Sequence, residues 1–271
     1  MTFDEEYFNI GYLDRLSYQD TVIHRLDPRS KVIVTMIFVI TVVSYPKYEV
    51  MSLIPFFIFP VLLITLSDTP LLLIMKKVLF VSPFALFIGI FNPLFDAGTV
   101  TLWHGVHISA GWISLLSIMM KFTLTISAAL LLIATTSFPG ICNALQRLGV
   151  PMPFTSQLLF LYRYIFVLME EAMRMVRARD LRTVGAHAHG AGIKIFVRLI
   201  GLLFIRTVER AERIYQSMLS RGFYGKILSI KQYRFKLSDA AFVFLTLIFL
   251  FAFRRYNVTE MLGRFIQGLI A

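Results

Sequence analysis

Cysteine and charge are both scarce in this chain of 271 residues. Its one cysteine, Cys142, excludes an internal disulfide and any metal cluster built from several thiolates. Charged residues make up 16% of the chain, whereas a soluble domain carries about a quarter. Apolar residues reach 57%, and the mean hydropathy is +0.73. This balance predicts a polytopic α-helical membrane protein, because long apolar runs need lipid around them.

Several motifs of catalysis are also missing. The chain has no Gly-x-x-x-x-Gly-Lys-[Ser/Thr] sequence, so we do not expect it to hydrolyse ATP itself. It likewise has no Gly-x-Ser-x-Gly nucleophile turn and no His-Glu-x-x-His zinc motif. We therefore predict that the chain is not an enzyme and holds no cofactor.

Basic residues are concentrated in one part of the chain. The net charge is +11, and residues 137–236 hold sixteen Lys and Arg against five acids. Residues 92–110 contain no Lys or Arg at all. Cytoplasmic loops of membrane proteins collect positive charge, so we place 137–236 in the cytoplasm and 92–110 outside. This asymmetry explains the charge without nucleic acid, which we do not expect as a partner.

Five apolar runs are predicted to cross the membrane. They are Val32–Tyr45, Val50–Leu66, Val78–Phe95, Gly111–Thr136 and Ala240–Phe253. The first two fall short of the roughly 20 residues of a typical span, and Pro55 and Pro60 should bend the second. No cleavable signal is predicted, because the N-terminus is acidic. The last span would leave Arg254 and Arg255 outside, against the usual charge rule.

These features give three predicted domains. Residues 1–136 are an N-terminal cytoplasmic segment followed by four transmembrane helices, 137–236 are a cytoplasmic domain, and 237–271 are the last transmembrane helix and a tail. The cytoplasmic domain should contain two long helices, at about 156–179 and 193–221, each with a stripe of residues three or four positions apart. The first stripe is Leu158, Leu161, Ile165, Leu168, Ala172 and Met175, and the second is Val197, Ile200, Phe204, Thr207, Ala211, Ile214 and Met218. Their recurring charges should keep them at or below the membrane surface. The apolar stripes would then pack on each other, on the spans or on partners. A basic interfacial helix pair without a specific partner is the alternative.

Each long helix is predicted to end at an arginine. The two ends read Ala178-Arg179-Asp180 and Ser220-Arg221-Gly222. Arginine at this position offsets the negative end of the helix dipole, and Gly222 suits the residue that follows a helix. Alternatively, each guanidinium projects into an acidic groove of another protein, where its fork can bind a carboxylate bidentately.

Two segments resemble a known family. They are residues 24–31, His-Arg-Leu-Asp-Pro-Arg-Ser-Lys, and residues 209–223, Glu-Arg-Ala-Glu-Arg-Ile-Tyr-Gln-Ser-Met-Leu-Ser-Arg-Gly-Phe. Both are similar to the transmembrane (T) component of energy-coupling factor (ECF) transporters, specifically its cobalt-type, CbiQ-like branch. The order of elements along nearly the whole chain also fits.

The resemblance implies a non-catalytic coupling subunit of an ATP-driven importer. In that family the long helices end in Ala-Arg-Gly-like triplets that dock into two ATPase subunits. The corresponding residues here are Ala178, Arg179, Asp180, Ser220, Arg221 and Gly222. Asp180 replaces the usual glycine and could neutralise Arg179, and Ser220 replaces alanine. The other implied partner is a cobalt-type substrate-binding membrane subunit, in the cytoplasmic membrane of a prokaryote.

Other candidate sites are weaker. His104 with His107, and His187 with His189, form two pairs, but a pair without a third ligand makes a poor metal site, so no metal site is predicted. Lys121 lies inside a predicted span, where a charge marks function by default or serves structure by snorkelling. A self-sufficient secondary transporter or channel remains the main alternative function, and a membrane-bound enzyme a weaker one. The residues do not distinguish cobalt from nickel.

Overall fold

A computed structural model describes residues 14, 16–95, 99–102, 106–182, 192–225 and 235–255. The helices are α1 Pro28–Val43, a 3-10 segment Met51–Phe57 that leads into α2 Ile58–Ser67, α3 Leu71–Gly89, α4 Asn92–Phe95, α5 Ala110–Thr135, α6 Phe138–Arg147, α7 Met152–Arg182, α8 Gly192–Leu219 and α9 Leu237–Arg255. The predicted all-α membrane class is confirmed for the described residues, apart from one short hairpin.

One short hairpin departs from the all-α prediction. Strands β1, Thr99–Leu102, and β2, Val106–Ser109, pair antiparallel, with Thr99 opposite Ser109 and Leu102 opposite Val106. Their residues alternate between polar and apolar types, the pattern of a strand with one face against a neighbour. The hairpin lies in the segment predicted to face outside. His107 belongs to β2, whereas His104, His187 and His189 lie outside the described residues.

Four helices of the described ranges are long and apolar enough to cross a membrane, namely α3, α5, α7 and α9. This finding supports a multi-pass membrane protein. We expected the charges of α7 to hold it at the membrane surface, but by length and composition it could cross the membrane. Those charges gather toward Arg182 and leave an apolar first part. The predicted first two spans correspond to α1, with 16 residues, and to the short apolar segment Met51–Ser67.

The described residues form two compact units along the chain. The membrane unit contains residues 16–137 and 235–255, and the arginine-rich unit contains residues 138–225. The chain thus leaves the membrane unit after α5 and returns to it before α9.

Contacts at the helix ends fix the directions of three membrane-unit helices. Lys31 Nζ, near the start of α1, donates a hydrogen bond to the Thr135 carbonyl at the end of α5 at 2.7 Å. These two helices are therefore antiparallel. Arg254 Nη2, at the end of α9, donates to Ser44 Oγ just after α1 at 3.1 Å. Helices α1 and α9 therefore run in the same direction. Lys31 lies near the start of α1, whereas Arg254 lies beside its far end.

An aromatic cluster forms the centre of the membrane unit. The ring of Phe38 stacks on Phe59 at 4.3 Å between centroids and meets Phe56 at 6.2 Å. Phe56 also contacts Phe249 of α9 at 6.2 Å. Lipid removes the usual hydrophobic gain between helices, so close packing holds such a core, and each aromatic pair adds about 0.5–1.5 kcal/mol. The change from 3-10 to α geometry follows Pro55, consistent with the predicted bend.

A lysine contact joins α1 and α5 at each end of α1, and the second of these contacts comes from the middle of α5. While Lys31 of α1 binds the Thr135 carbonyl, Lys121 Nζ of α5 donates to the Tyr45 carbonyl at 2.5 Å. The Thr135 carbonyl is the last of α5 and has no partner within the helix, whereas Tyr45 lies two residues beyond the end of α1. An ammonium group satisfies each carbonyl with a charge-assisted hydrogen bond. The Lys121 contact supports the structural alternative for this residue.

Candidate functional site: the arginine ends of the long helices

Arg221 stands at the tip of α8. The Phe223 N–H donates to the Met218 carbonyl at 3.0 Å, and the Gly222 N–H donates to the Leu219 carbonyl at 2.9 Å. This pair of bonds is the Schellman arrangement that ends many helices. Gly222 has φ +78°, a left-handed conformation in which glycine alone avoids strain. Arg221 is exposed, so the cap presents its side chain at the end of a 28-residue helix.

Arg179 is placed differently. Helix α7 continues to Arg182, so Arg179 lies in the last turn rather than at the predicted end. Its Nη2 is 2.9 Å from Asp180 Oδ1, and its Nε donates to the same oxygen at 3.0 Å. The Arg179 side chain is 38% exposed. The predicted local neutralisation of Arg179 by Asp180 is therefore present in the structure.

The remaining predicted residues follow these two arginines. Ala178 and Asp180 are exposed on the last turn of α7. Ser220 is exposed at the end of α8, where its hydroxyl donates to the Gln216 carbonyl at 3.0 Å. Each triplet is therefore accessible to a second protein.

A groove of about 600 Å³ lies between α7 and α8. Its walls include Leu168 and, from α8, Thr207, Ala211, Ile214 and Met218, all of which belong to the predicted apolar stripes. The lining is mostly apolar, and Arg210 borders it. Beside the groove, Arg206 Nη1 of α8 is 2.8 Å from Glu171 Oε1 of α7. This ion pair fixes one helix against the other.

Much of the predicted packing stripe is nevertheless exposed. Leu161 is 63% exposed and Phe204 is 67% exposed. Val197, Ile200 and Ile165 are exposed as well, and Ala211 is exposed within the groove wall. The two stripes therefore cover each other only in part, and of the predicted alternatives, packing on the spans or on partners would have to cover the rest. Contiguous apolar surface of this kind marks a site of contact with lipid or with another protein.

The described residues offer little for catalysis. They contain no group of three or more His, Cys, Asp and Glu side chains suited to a metal. Burial raises the pKa of the Cys142 thiol to about 11, which keeps the nucleophilic thiolate rare at neutral pH. The long helices instead present exposed arginine and apolar side chains.

Sequence reasoning missed two kinds of residue. Glu171 and Arg206 were counted only as charges, because nothing in a single sequence pairs side chains 35 positions apart. Lys31 was named only as the last residue of the segment 24–31, yet it is 4% exposed and therefore buried. Its place within the segment His24–Lys31, whose likeness to the family we had noted, was the available signal.

Comparisons with known proteins agree with this arrangement. The CbiQ family model, described as cobalt transport protein, matches residues 19–233. An uncharacterized protein of Methanocaldococcus jannaschii is 30% identical over 257 residues, covering 92% of this chain and 84% of its own length. The energy-coupling factor transporter transmembrane protein EcfT of Leuconostoc gelidum is 28% identical, covering 77% and 82%. The cobalt transport protein CbiQ of Salmonella typhimurium is 28% identical over 45% of this chain and 54% of its own.

The family match spans both units, including the joining segments and the Arg221 end of α8. Together with the helical membrane fold, it confirms the resemblance first seen in residues 24–31 and 209–223. The chain belongs to the CbiQ cobalt transport protein family and is a T component of ECF-type transporters.

Proposed function

We propose that this chain couples ATP hydrolysis on two ATPase subunits to a substrate-binding membrane subunit that imports cobalt or nickel. The chain itself neither binds nucleotide nor holds the transported ion. Its site of action is the cytoplasmic membrane of a prokaryote, with the arginine-rich unit in the cytoplasm.

The presentation of Arg221 carries this proposal. The Schellman cap holds the end of α8 rigidly, and the guanidinium is exposed beyond it. A fork of this kind can bind a carboxylate with two parallel hydrogen bonds. Arg179 offers a second contact at the end of α7, which matches two ATPase subunits.

A self-sufficient secondary transporter or channel has less support. Such proteins use intramembrane charges along the ion path. Lys121 is the charge that the sequence placed inside a predicted span, and its ammonium group donates a hydrogen bond to the Tyr45 carbonyl. Transport of Co²⁺ or Ni²⁺ by the chain alone in liposomes would support this alternative.

Recovery of the ATPase subunits tests the coupling proposal. The tagged chain should co-purify both ATPases, and Arg221→Glu should abolish the recovery. Breaking one side of an interfacial charge pair costs about 2–5 kcal/mol, whereas a role limited to the helix dipole is worth about 0.3–1 kcal/mol. Arg221→Lys keeps the charge without the fork, so an intermediate recovery is expected.

Arg213→Glu is the matched control. It makes the same charge change on the same helix, at a side chain that is 72% exposed and 3.9 Å from Glu209. Equal recovery with wild type, Arg221→Glu and Arg213→Glu would show that Arg221 is only a helix cap and would remove the main support for coupling.

A further inference from the structure

The segment of residues 24–31, here called the joint segment, binds two helix ends of the membrane unit, and next to each of these ends the chain passes to or from the arginine-rich unit. The chain leaves the membrane unit after Thr135 at the end of α5 and returns to it at the start of α9, at Leu237. Among the described residues, these two ends are where the chain passes from one unit to the other, so movement passed along this part of the chain goes through them. Both ends lie within the membrane unit, and the joint segment binds each of them.

The end of α5 is held by two side chains of the joint segment. Lys31 Nζ donates to the Thr135 carbonyl at 2.7 Å. His24 Nε2 lies 3.3 Å from the Ala134 carbonyl, and its Nδ1 lies 2.8 Å from Thr21 Oγ1. A carbonyl only accepts hydrogen bonds, so the Nε2 nitrogen of His24 carries the proton. Two successive carbonyls of the last turn of α5 are therefore bound.

The start of α9 is held by the middle of the same segment. Asp239 Oδ1 accepts a hydrogen bond from the Asp27 N–H at 2.8 Å, and Oδ2 accepts one from the Lys236 N–H at 2.7 Å. Asp239 therefore caps its own helix in the manner of a capping box and at the same time binds the joint segment. Asp27 in turn caps α1, since its Oδ1 accepts from the Arg29 N–H at 2.9 Å.

The burial of these charges is unusual for groups that serve stability alone. Lys31 and Asp27 are each 4% exposed, and Asp239 is 1% exposed. Removing a charge from water is costly, and well-packed apolar residues often stabilise a fold as well or better. Such groups fix one geometry, however, because each must keep all of its partners. The joint segment therefore sets the spacing between the end of α5 and the start of α9.

We propose that the joint segment is the positioning element through which movement of the arginine-rich unit reaches the membrane unit. It ties both chain connections to the start of α1, so the three helix ends move as one body. Packed elements of this kind shift as units and do not deform continuously. Lys31 and Asp239 are positioning residues in this proposal, which rests on the coupling function proposed above.

A distance measurement in the assembled transporter tests the proposal. Nitroxide labels are placed at Leu72→Cys in the membrane unit and Phe204→Cys in the arginine-rich unit, in a Cys142→Ala background. Both positions are well exposed, at 79% and 67%. ATP binding should shift the distance between the labels in the otherwise wild-type complex. Lys31→Met and Asp239→Ala should each abolish this shift while the ATPases remain bound and hydrolyse ATP.

Lys121→Met is the matched control, because it removes the same kind of lysine-to-carbonyl bond between α5 and the opposite end of α1. It should retain the nucleotide-driven shift, and thermal unfolding of all three variants shows whether they are comparably stable. An unchanged shift in Lys31→Met and Asp239→Ala, a loss of the shift in Lys121→Met at equal stability, or no shift in the wild-type complex with ATPases bound would each overturn the proposal. Failure of the wild type to bind ATPases would instead contradict the coupling function itself.

Discussion

Arg206 of α8 and Glu171 of α7 form an ion pair across the two long helices, with Nη1 2.8 Å from Oε1. The Glu171 side chain is only 18% exposed, so solvent screens the pair less than it screens most surface pairs. Glu170, its neighbour on the same helix, pairs with Arg174 at 3.2 Å and is 59% exposed. The two glutamates therefore differ in burial and in whether they join helices.

This difference predicts unequal effects of the same substitution. Glu171→Ala should lower the free energy of unfolding of the arginine-rich unit by about 1 kcal/mol, whereas Glu170→Ala should stay within about 0.5 kcal/mol. Thermal unfolding of both variants in detergent, followed by circular dichroism, makes the comparison. Equal effects would mean that the contact between the helices adds nothing beyond an exposed pair.

The pH should change the stability of the membrane unit, because His24 binds a proton less readily in the folded chain than in the unfolded chain. Burial lowers the pKa of His24 below its ordinary value of 6.5, and the nearby Lys31 charge adds to this effect against the opposing hydrogen bond to Ala134. The unfolded chain then binds the proton at a higher pH than the folded one. The contribution of His24 to the free energy of unfolding is therefore fully present above about pH 6.5, and it is lost as the pH falls toward the lower pKa of the folded state.

A comparison of melting temperatures at about pH 7.5 and about pH 5.5 measures this linkage. The wild type should lose more stability on acidification than His24→Gln, which cannot titrate. Identical losses in the two proteins would assign the acid sensitivity to other groups.

The position of Arg254 bears on the membrane topology. Its guanidinium carbon lies 4.8 Å from the centre of the Tyr45 ring, and its Nη2 binds Ser44. Such cation–π contacts contribute about 0.5–1 kcal/mol at exposed sites. Tyr45 follows the end of α1, and the basic joint segment, residues 24–31, lies at the start of the same helix. This relation supports the outside location of Arg254, against the charge rule.

Cysteine labelling from each side of the membrane tests that topology in a Cys142→Ala background. We expect Asp96→Cys and Arg255→Cys to react with an impermeant reagent from outside, and Gly185→Cys to react only from the cytoplasm. Labelling at position 185 from outside would invert the topology, and protection at position 255 would remove the fifth crossing.

The sequence predicted the positions of the helices better than it predicted which residues contact one another. Apolar runs located α1, α5 and α9, because a span needs a long apolar stretch whatever it packs against. The Arg-Gly pair at 221–222 predicted the helix end, because glycine favours the left-handed residue that the observed cap requires. By contrast, Lys31 binds a carbonyl 104 positions away, and Asp239 binds a backbone N–H 212 positions away. No local periodicity encodes such contacts, so the family likeness of residues 24–31 was the one sign of the joint segment in the sequence.

Ala211 illustrates where a pattern misled. Ala211 lies in the middle of the α8 stripe, a position that predicts close packing against a neighbouring helix. On that basis Ala211→Arg should lower the free energy of unfolding by several kcal/mol, because it would overpack the contact and bury a charge. The structure places it in the exposed wall of the groove between α7 and α8. An added arginine can therefore extend along the groove, and the free energy of unfolding of the isolated chain should change by less than about 0.5 kcal/mol.

The same substitution should still weaken the complex if a partner covers this groove. We expect Ala211→Arg to reduce recovery of the assembled transporter, whereas Gln216→Arg, on an exposed position outside the groove lining, should not. Strong destabilisation of the isolated chain by Ala211→Arg would restore the original packing prediction.

Asp180 provides the final prediction, because it competes with any acidic partner for Arg179. The two side chains are in contact at 2.9 Å while both remain accessible to solvent. An exposed pair of this kind contributes at most about 1 kcal/mol, so a carboxylate on an ATPase can displace Asp180 at modest cost. Asp180→Asn removes the competing charge without adding the backbone freedom of glycine. Recovery of the ATPases should therefore rise with Asp180→Asn and fall with Arg179→Glu. If Arg179 has no docking role, both variants should match the wild type, and Arg221 alone would then anchor the arginine-rich unit to its partners.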